Sequence, residues 1–260
     1  MDKGKLIDSH VHLLDPRLRE RAEEIVKNLQ ADGIECVVEI SADVAESHEA
    51  VDFANAHENV YCTIGVHPIF AESYCDDFET WALEQKGNKK IVAMGECGLD
   101  YYHMETPAAH QREIFVRQIK LADKLGLPLV VHTRDAFNDT FDILNEHKNF
   151  LNNGVVLHCF SGGADEVERF KVFDAYFAFG GAITYKNATL AADAIRVVPS
   201  DRLMLETDCP YLSPVPVRGT VNEPKNVKYI AEYVAGILGM TFDEVAQMTT
   251  RNTKRFYRIN

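Results

Sequence analysis

The chain has 260 residues, of which 46% are hydrophobic and 26% charged, with a formal net charge of −13. This length and composition suit a globular protein with a substantial core and do not indicate disorder. The acidic balance counts against a protein that holds nucleic acid by a basic face and against an electrostatic membrane anchor. It leaves room for an enzyme that meets phosphate through bound cations, whose charge changes the local electrostatics.

Six cysteines, at positions 36, 62, 75, 97, 159 and 209, form no C-x-x-C pair and read as reduced thiols. The opening Met1-Asp2-Lys3-Gly4-Lys5 is not a secretory leader, and no apolar run approaches a membrane span. The expected location is the cytoplasm.

Residues 5–9 read as a first strand that runs into His10-Val11-His12. In a strand, residues two apart point to the same face, so both imidazoles can be aimed at one ion. Residues 16–31 read as a helix stopped by Gly33. Strand two is predicted at 34–40, a helix at 47–57, and strand three at 60–65, closing on Val66-His67-Pro68. A helix at 76–85 precedes strand four at 91–96. Thr106 is the expected N-cap of the next helix, with Pro107 at its first position. Ile114, Phe115, Ile119, Ala122 and Leu125 share one face of it, and Gly126 ends it. Strand five is predicted at 129–132, followed by a helix capped by Asp135, and strand six at 155–158. A short helix at 165–172, strand seven at 176–180, a helix at 187–198 and strand eight at 203–207 follow. A Pro- and Gly-rich loop at 208–224 leads to two closing helices, the second opened by a capping box in Thr241-Phe242-Asp243-Glu244.

Nearly continuous apolar strands imply a parallel sheet buried on both faces. Eight β/α units in roughly 250 residues is the typical size of an α/β, TIM-type (β/α)8 barrel. A single domain over residues 1–260 is expected. The competing doubly wound sheet usually carries a Gly-rich turn after strand one, and none follows Ser9.

In such barrels the active site lies at the C-terminal strand ends. Strand one ends there in His10 and His12, strand four in Glu96, strand five in His132, strand six in His158 and strand eight in Asp208, while strands two and seven offer nothing comparable. Four imidazoles and two carboxylates exceed one tetrahedral ion but suit two ions sharing a carboxylate. His10, His12 and Asp208 would hold one, His132 and His158 the other, with Glu96 between. Nitrogen and oxygen donors suit zinc, manganese, cobalt, iron or magnesium. Cys97 and Cys159 follow inward-facing ligands and so should face the outer helices as small apolar residues. Cys209 lies past the strand end.

The chain resembles the TatD family of metal-dependent deoxyribonucleases throughout its length. The matching blocks include Asp8-Ser9-His10-Val11-His12, Gly65-Val66-His67-Pro68, Gly95-Glu96-Cys97-Gly98-Leu99-Asp100-Tyr101-Tyr102, Leu127–Asp135, Leu157–Gly162, Glu206–Leu212 and Arg218-Gly219. The resemblance implies a TIM-type barrel, two divalent ions and hydrolysis of phosphodiester bonds in DNA. It implies the same six ligands, with Glu96 and Asp208 also catalytic. A 3′-to-5′ exonuclease acting on single-stranded or damaged DNA is the expectation, although the motifs leave cutting mode and polarity open. Ile69, His103 and Thr220-Val221 stand where the family often has histidine, arginine and a basic residue, so substrate preference is less defined than chemistry.

Metal-activated water would attack phosphorus, and Asp208 could shuttle the proton. His67 ends strand three, and Arg134, Lys186 and Arg218 lie in loops after strands five, seven and eight on the active face, as candidate substrate contacts with Arg218 the best phosphate contact of the three; Glu206 could orient a ligand histidine. DNA is the expected substrate, with no stable protein partner and a monomeric state. Two alternatives stay open: a hydrolase of a small ester, lactone or amide, because fold does not fix function, and a metal-binding protein without turnover.

Overall fold

Runs of Val, Ile and Leu that are each followed by an amphipathic segment pack well as parallel strands beneath outer helices. The computed structural model, which describes residues 5–260, has that arrangement; the reading of residues 1–4 lies outside the described part. Strands β1 Leu6–Val11, β2 Ile34–Glu39, β3 Val60–Ile64, β4 Ile91–Asp100, β5 Leu129–Arg134, β6 Val155–Leu157, β7 Tyr176–Phe179 and β8 Leu203–Leu205 form one sheet in sequential order. Every neighbouring pair is parallel. The helices are α1 Ala22–Asn28, α2 Val44–Ala56, α3 Asp76–Glu84, α4 Ala108–Leu125, α5 Phe137–Glu146, α6 Ala164–Phe170, α7 Thr189–Val197, α8 Val227–Leu238 and α9 Phe242–Tyr257. Among the described residues no helix is long and apolar enough to cross a membrane.

The ladder is completed beyond β8. The Asp208 N–H donates to the His10 carbonyl (3.0 Å) and the His12 N–H to the Cys209 carbonyl (2.8 Å), and Val11 pairs with Cys209 in a parallel bridge. The sheet is thereby a nearly closed TIM-type barrel. Ile7, Val38, Val92, Val130, Val156, Ala178 and Met204 fill its interior in one apolar cluster with Phe256, Tyr257 and Ile259 from the chain's end. The Tyr257 hydroxyl donates to the Ser9 carbonyl (3.0 Å). The far end of the chain therefore closes the barrel floor and leaves the opposite mouth for polar residues.

Two irregularities aim the site. In β1, Asp8 lies opposite Val37 and Val11 opposite Glu39, three residues against two. In β4, Met94 lies opposite Leu129 and Cys97 opposite Val131, again three against two. An extra residue in one strand reverses the in/out alternation beyond it. Ile7 faces the interior, so strict alternation would direct Ser9 and Val11 inward; the bulge gives that position to His10 and turns Val11 to the outer core. The bulge in β4 does the same for Glu96 and sends Cys97 outward.

Several local expectations need correction. β4 runs on to Asp100, four residues past its expected end. Pro107 is the N-cap of α4 rather than its first residue, and the Thr106 hydroxyl donates instead to the Ile69 carbonyl (2.9 Å). Asp135 does not cap α5: it sits at φ 54°, and Ala136 holds the cap position. β6 stops at Leu157, so strand alternation does not reach Cys159, which is at φ 42° and half-buried. The helix expected at 16–31 shortens to α1 with a single 3-10 turn, Arg19–Arg21, before it. The capping box of α9 forms as expected, with the Glu244 N–H donating to the Thr241 hydroxyl (3.3 Å) and the Thr241 N–H to Glu244 Oε2 (2.8 Å).

Gly98 has φ +133°, and a Cβ built on it would lie 2.0 Å from the His132 carbonyl oxygen. The backbones of β4 and β5 can approach this closely, beside His132, only without that side chain. Gly98→Ala should therefore destabilise the fold by on the order of 3 kcal/mol, from a disfavoured φ together with overpacking. Gly236→Ala, in α8 with open space around it, should be neutral or stabilising. Urea unfolding followed by circular dichroism measures both, and equal stability of the two variants would contradict this reading.

Candidate metal centre

The polar strand ends meet in two sets of donor atoms. In the first, His10 Nε2 lies 3.2 Å from His12 Nε2, 3.4 Å from Glu96 Oε2 and 3.7 Å from Asp208 Oδ1. His12 Nε2 is 3.4 Å from Asp208 Oδ1 and 3.9 Å from Glu96 Oε2. In the second, Glu96 Oε1 lies 2.6 Å from His158 Nε2 and 2.9 Å from His132 Nδ1, and those two nitrogens are 3.1 Å apart. Two donors bound about 2.1 Å from one ion stand roughly 3.0–3.5 Å apart, close to these spacings. Glu96 faces one set with each carboxylate oxygen.

The other ring nitrogens decide where the protons sit. His12 Nδ1 faces the Ile40 carbonyl (3.1 Å) and His132 Nε2 faces Asp100 Oδ2 (3.2 Å). His158 Nδ1 faces Glu206 Oε1 (3.5 Å) and His10 Nδ1 faces Glu206 Oε2 (3.9 Å). Acceptors on those sides assign each N–H outward. Every inward nitrogen is then a bare lone pair aimed at other lone pairs and at carboxylate oxygens. Such a cluster requires cations, either protons or metal ions, and its nitrogen and oxygen donors fit a first-row divalent ion or magnesium.

The ionisation tendencies agree. Burial pulls His12 down, but the hydrogen-bonded Asp208 carboxylate outweighs it and holds the pKa at about 9. His132 and His158 are raised against burial by Asp100, Glu96 and Glu206. Glu96 and Asp208 are held low in spite of burial by the imidazoles around them. Burial and His158, stacked at 4.0 Å between ring centroids, lower His10. The carboxylates call for positive charge, and protonated imidazoles supply it where no metal ion does.

His67 joins the group from the end of β3. Its Nδ1 accepts the Ile69 N–H (3.2 Å), so Nε2 carries the proton and points to Glu96 Oε1, 3.6 Å away. Burial and the charge of His132 push its pKa down to about 3, which keeps it a neutral donor. Arg134 and Arg218 lie exposed at the mouth, over the rings of Tyr102 (4.5 Å) and Tyr185 (4.1 Å). Neither pairs with a carboxylate among the described residues. Glu206 is fully buried between His10 and His158.

Two participants escape the sequence reading. Asp100 takes the His132 contact, and its Oδ1 accepts the backbone N–H groups of Tyr102 (2.9 Å) and His103 (2.7 Å). It lies four residues past Glu96 and so on the same strand face, a signal that appears only once β4 is known to continue. Glu39, at the end of the strand where nothing comparable was expected, is buried and accepts the N–H groups of Leu13 (2.8 Å) and Leu14 (3.1 Å), which fixes the turn after His12. Burial pushes its carboxyl up to about 7. Burial also raises the thiols of Cys97, Cys159 and Cys209, which keeps them protonated and out of the donor set.

Residues 7–258 match the family model described as TatD related DNase. The chain belongs to this TatD family. It is 38% identical over 255 residues to the uncharacterized metal-dependent hydrolase YabD of Bacillus subtilis (strain 168), covering 98% of this chain and 100% of YabD. To the uncharacterized metal-dependent hydrolase YcfH of Escherichia coli (strain K12) it is 36% identical over 260 residues, covering 98% and 96%. The solved structure of the TatD homologue YJJV of Escherichia coli K12 aligns with a TM-score of 0.92 and 27% identity over 100% of both chains. The chain is thus a metal-dependent hydrolase of the TatD family with several His, Glu and Asp groups able to hold metal.

Proposed function

We propose that this TatD-family hydrolase cleaves phosphodiester bonds of DNA with two divalent cations. His10, His12 and Asp208 would hold one, His132 and His158 the other, and Glu96 both. The observation that carries this reading is Glu96 itself, whose two oxygens each face a separate group of lone pairs. Bound divalent ions supply Lewis-acid polarisation of a phosphoryl oxygen and a lowered pKa for water.

The chain's own groups supply the rest. Asp208 has the more open side chain of the two carboxylates in the cluster, 13% exposed against 5% for Glu96, and it would take the proton from the attacking water. The neutral His67 presents Nε2–H as a donor to a phosphate oxygen or to the departing oxygen. Arg134 and Arg218, which pair with no carboxylate among the described residues, offer charge to flanking phosphates. Hydrolysis adds the water oxygen to phosphorus and breaks the bond to one ester oxygen, which leaves with a proton.

The test is a chelator-stripped sample reloaded with manganese or magnesium and given end-labelled single-stranded DNA. Progressive shortening that depends on metal is expected. No cleavage with any of the five candidate metals, together with turnover of a lactone, an amide or a small ester, would replace this reading with the small-molecule alternative.

A further inference from the structure

Exposed apolar side chains are unevenly distributed. Among the described residues eleven large hydrophobic side chains are exposed, and six of them (Phe70, Tyr102, Met104, Tyr211, Val215 and Val221) lie between β3, β4 or β8 and the α-helix that follows, at the mouth of the barrel. Three are aromatic: Phe70 (45% exposed), Tyr102 (61%) and Tyr211 (44%). Each is linked to the metal centre by a short chain of contacts. Tyr211 packs edge-on against His12, with ring centroids 5.9 Å apart. Phe70 meets His67 at 6.3 Å. Tyr102 meets His103 at 4.7 Å, and His103 Nδ1 is 3.0 Å from the Asp100 oxygen that also contacts His132.

Two of the rings are backed by guanidinium groups. Arg17 lies over Tyr211 at 4.2 Å and Arg134 over Tyr102 at 4.5 Å. In the sheet order, Tyr211 follows β8 beside β1, whereas Phe70 and Tyr102 follow β3 and β4, so the rings flank the centre from opposite sides. A ligand that fits must present flat π faces, carry negative charge for Arg134 and the metal centre (Arg17 is already paired with Asp15 at 2.8 Å), and reach both sides at once. A nucleic-acid strand has this chemistry only where its bases are unpaired, because in a duplex those faces are already stacked on one another.

We propose that Tyr102 and Tyr211, with Phe70, are specificity-determining residues that stack unpaired nucleobases on the two sides of the bond to be cut. This rests on the phosphodiesterase reading above and names the residues that hold the bases.

Tyr102 is the decisive position, because a ring 61% exposed can be truncated without opening a cavity. On a natural single strand, Tyr102→Ala should raise KM roughly 5- to 150-fold, the usual scale for one base–aromatic stack, with kcat within about twofold. Tyr102→Phe keeps the ring and should restore KM. The same comparisons apply to Tyr211→Ala and Tyr211→Phe. Tyr233→Ala, on the outer face of α8, should change nothing. On a strand whose terminal residues are abasic tetrahydrofuran units, wild type and Tyr102→Ala should have the same KM, since no base remains to be stacked. Equal KM penalties on natural and abasic strands, or a Phe variant as weak as the Ala variant, would overturn the proposal and leave the rings as loop packing. A wild-type protein that cuts no DNA would overturn the underlying reading instead.

Discussion

On the two-cation reading proposed above, Glu96→Ala is expected to lose both metal ions and to lower kcat/KM by at least about 10³-fold, a larger effect than removal of any other single proposed ligand. Glu96 is 4% exposed, and each of its oxygens completes a different donor group: Oε2 is 3.4 Å from His10 Nε2, and Oε1 is 2.6 Å from His158 Nε2. Among the described residues no other carboxylate faces the inward nitrogens of both groups. Without it, His132 and His158 hold only nitrogen donors, and the first group keeps one carboxylate, that of Asp208. His10→Ala removes a donor from one group and should deplete one ion more than the other. Metal content per chain, measured by mass spectrometry after dialysis against a weak chelator, separates the two variants. Full retention of one ion by Glu96→Ala would show that the groups bind independently and that the bridge is dispensable. Glu96→Gln is a useful companion, since its amide places an N–H donor toward one set of lone pairs while preserving volume.

Much of this centre was legible in the sequence because it depends on which residue types end which strands. His10, His12, His132, His158 and Asp208 stand near or just past a strand end, with Glu96 four residues before the end of β4, and barrel topology brings those ends together. What sequence alone cannot supply is register. Whether His10 or Ser9 turns inward depends on a bulge defined by the partner strand: Asp8 opposite Val37, then Val11 opposite Glu39. The inward aim of Glu96 depends in the same way on the offset between β4 and β5. Asp100 was missed because the strand was expected to end at Glu96.

The caps follow the same division. Thr241 and Glu244 lie on an exposed stretch, and their reciprocal bonds are complete within four residues. Thr106 and Asp135 have equally good local chemistry, yet tertiary context redirects them: the Thr106 hydroxyl is taken by the Ile69 carbonyl, 37 residues away in sequence, and Asp135 adopts a left-handed conformation at the active-site turn. At the start of α1, local bonds compete with the helix instead. Asp15 accepts the Arg17 backbone N–H (2.8 Å), and Arg19 Nε donates to the Leu14 carbonyl (2.8 Å), so the helix begins later than its composition suggests.

The second large effect is expected at Glu206, which is not one of the six ligands of the two-cation reading proposed above. Its carboxylate is wholly buried, and Oε1 accepts the Cys159 N–H at 2.6 Å. Three neighbouring atoms, His10 Nδ1, His158 Nδ1 and Glu206 Oε2, have no hydrogen-bond partner in the described structure. His158 Nδ1 lies 3.5 Å from Glu206 Oε1 and His10 Nδ1 3.9 Å from Glu206 Oε2, slightly too far to bond. Leaving such groups unpaired in the interior is costly, and a small rotation of either imidazole would join them. Cation binding at both Nε2 atoms favours that rotation, because it fixes the protons on Nδ1 and strengthens both as donors. Glu206→Gln retains an acceptor for the Cys159 N–H but only one oxygen for two imidazoles, and it should weaken metal binding by about 10- to 100-fold. Glu206→Leu removes both acceptors and should weaken it further. At saturating metal, a 100-fold loss of affinity corresponds to about 2.7 kcal/mol less stabilisation on loading. The decisive quantity is therefore the rise in unfolding temperature on adding metal, compared among wild type, Gln and Leu. If Glu206 served only the Cys159 N–H, the Gln variant would gain as much from metal as the wild type. A graded fall from wild type to Gln to Leu would assign the carboxylate to the two histidines.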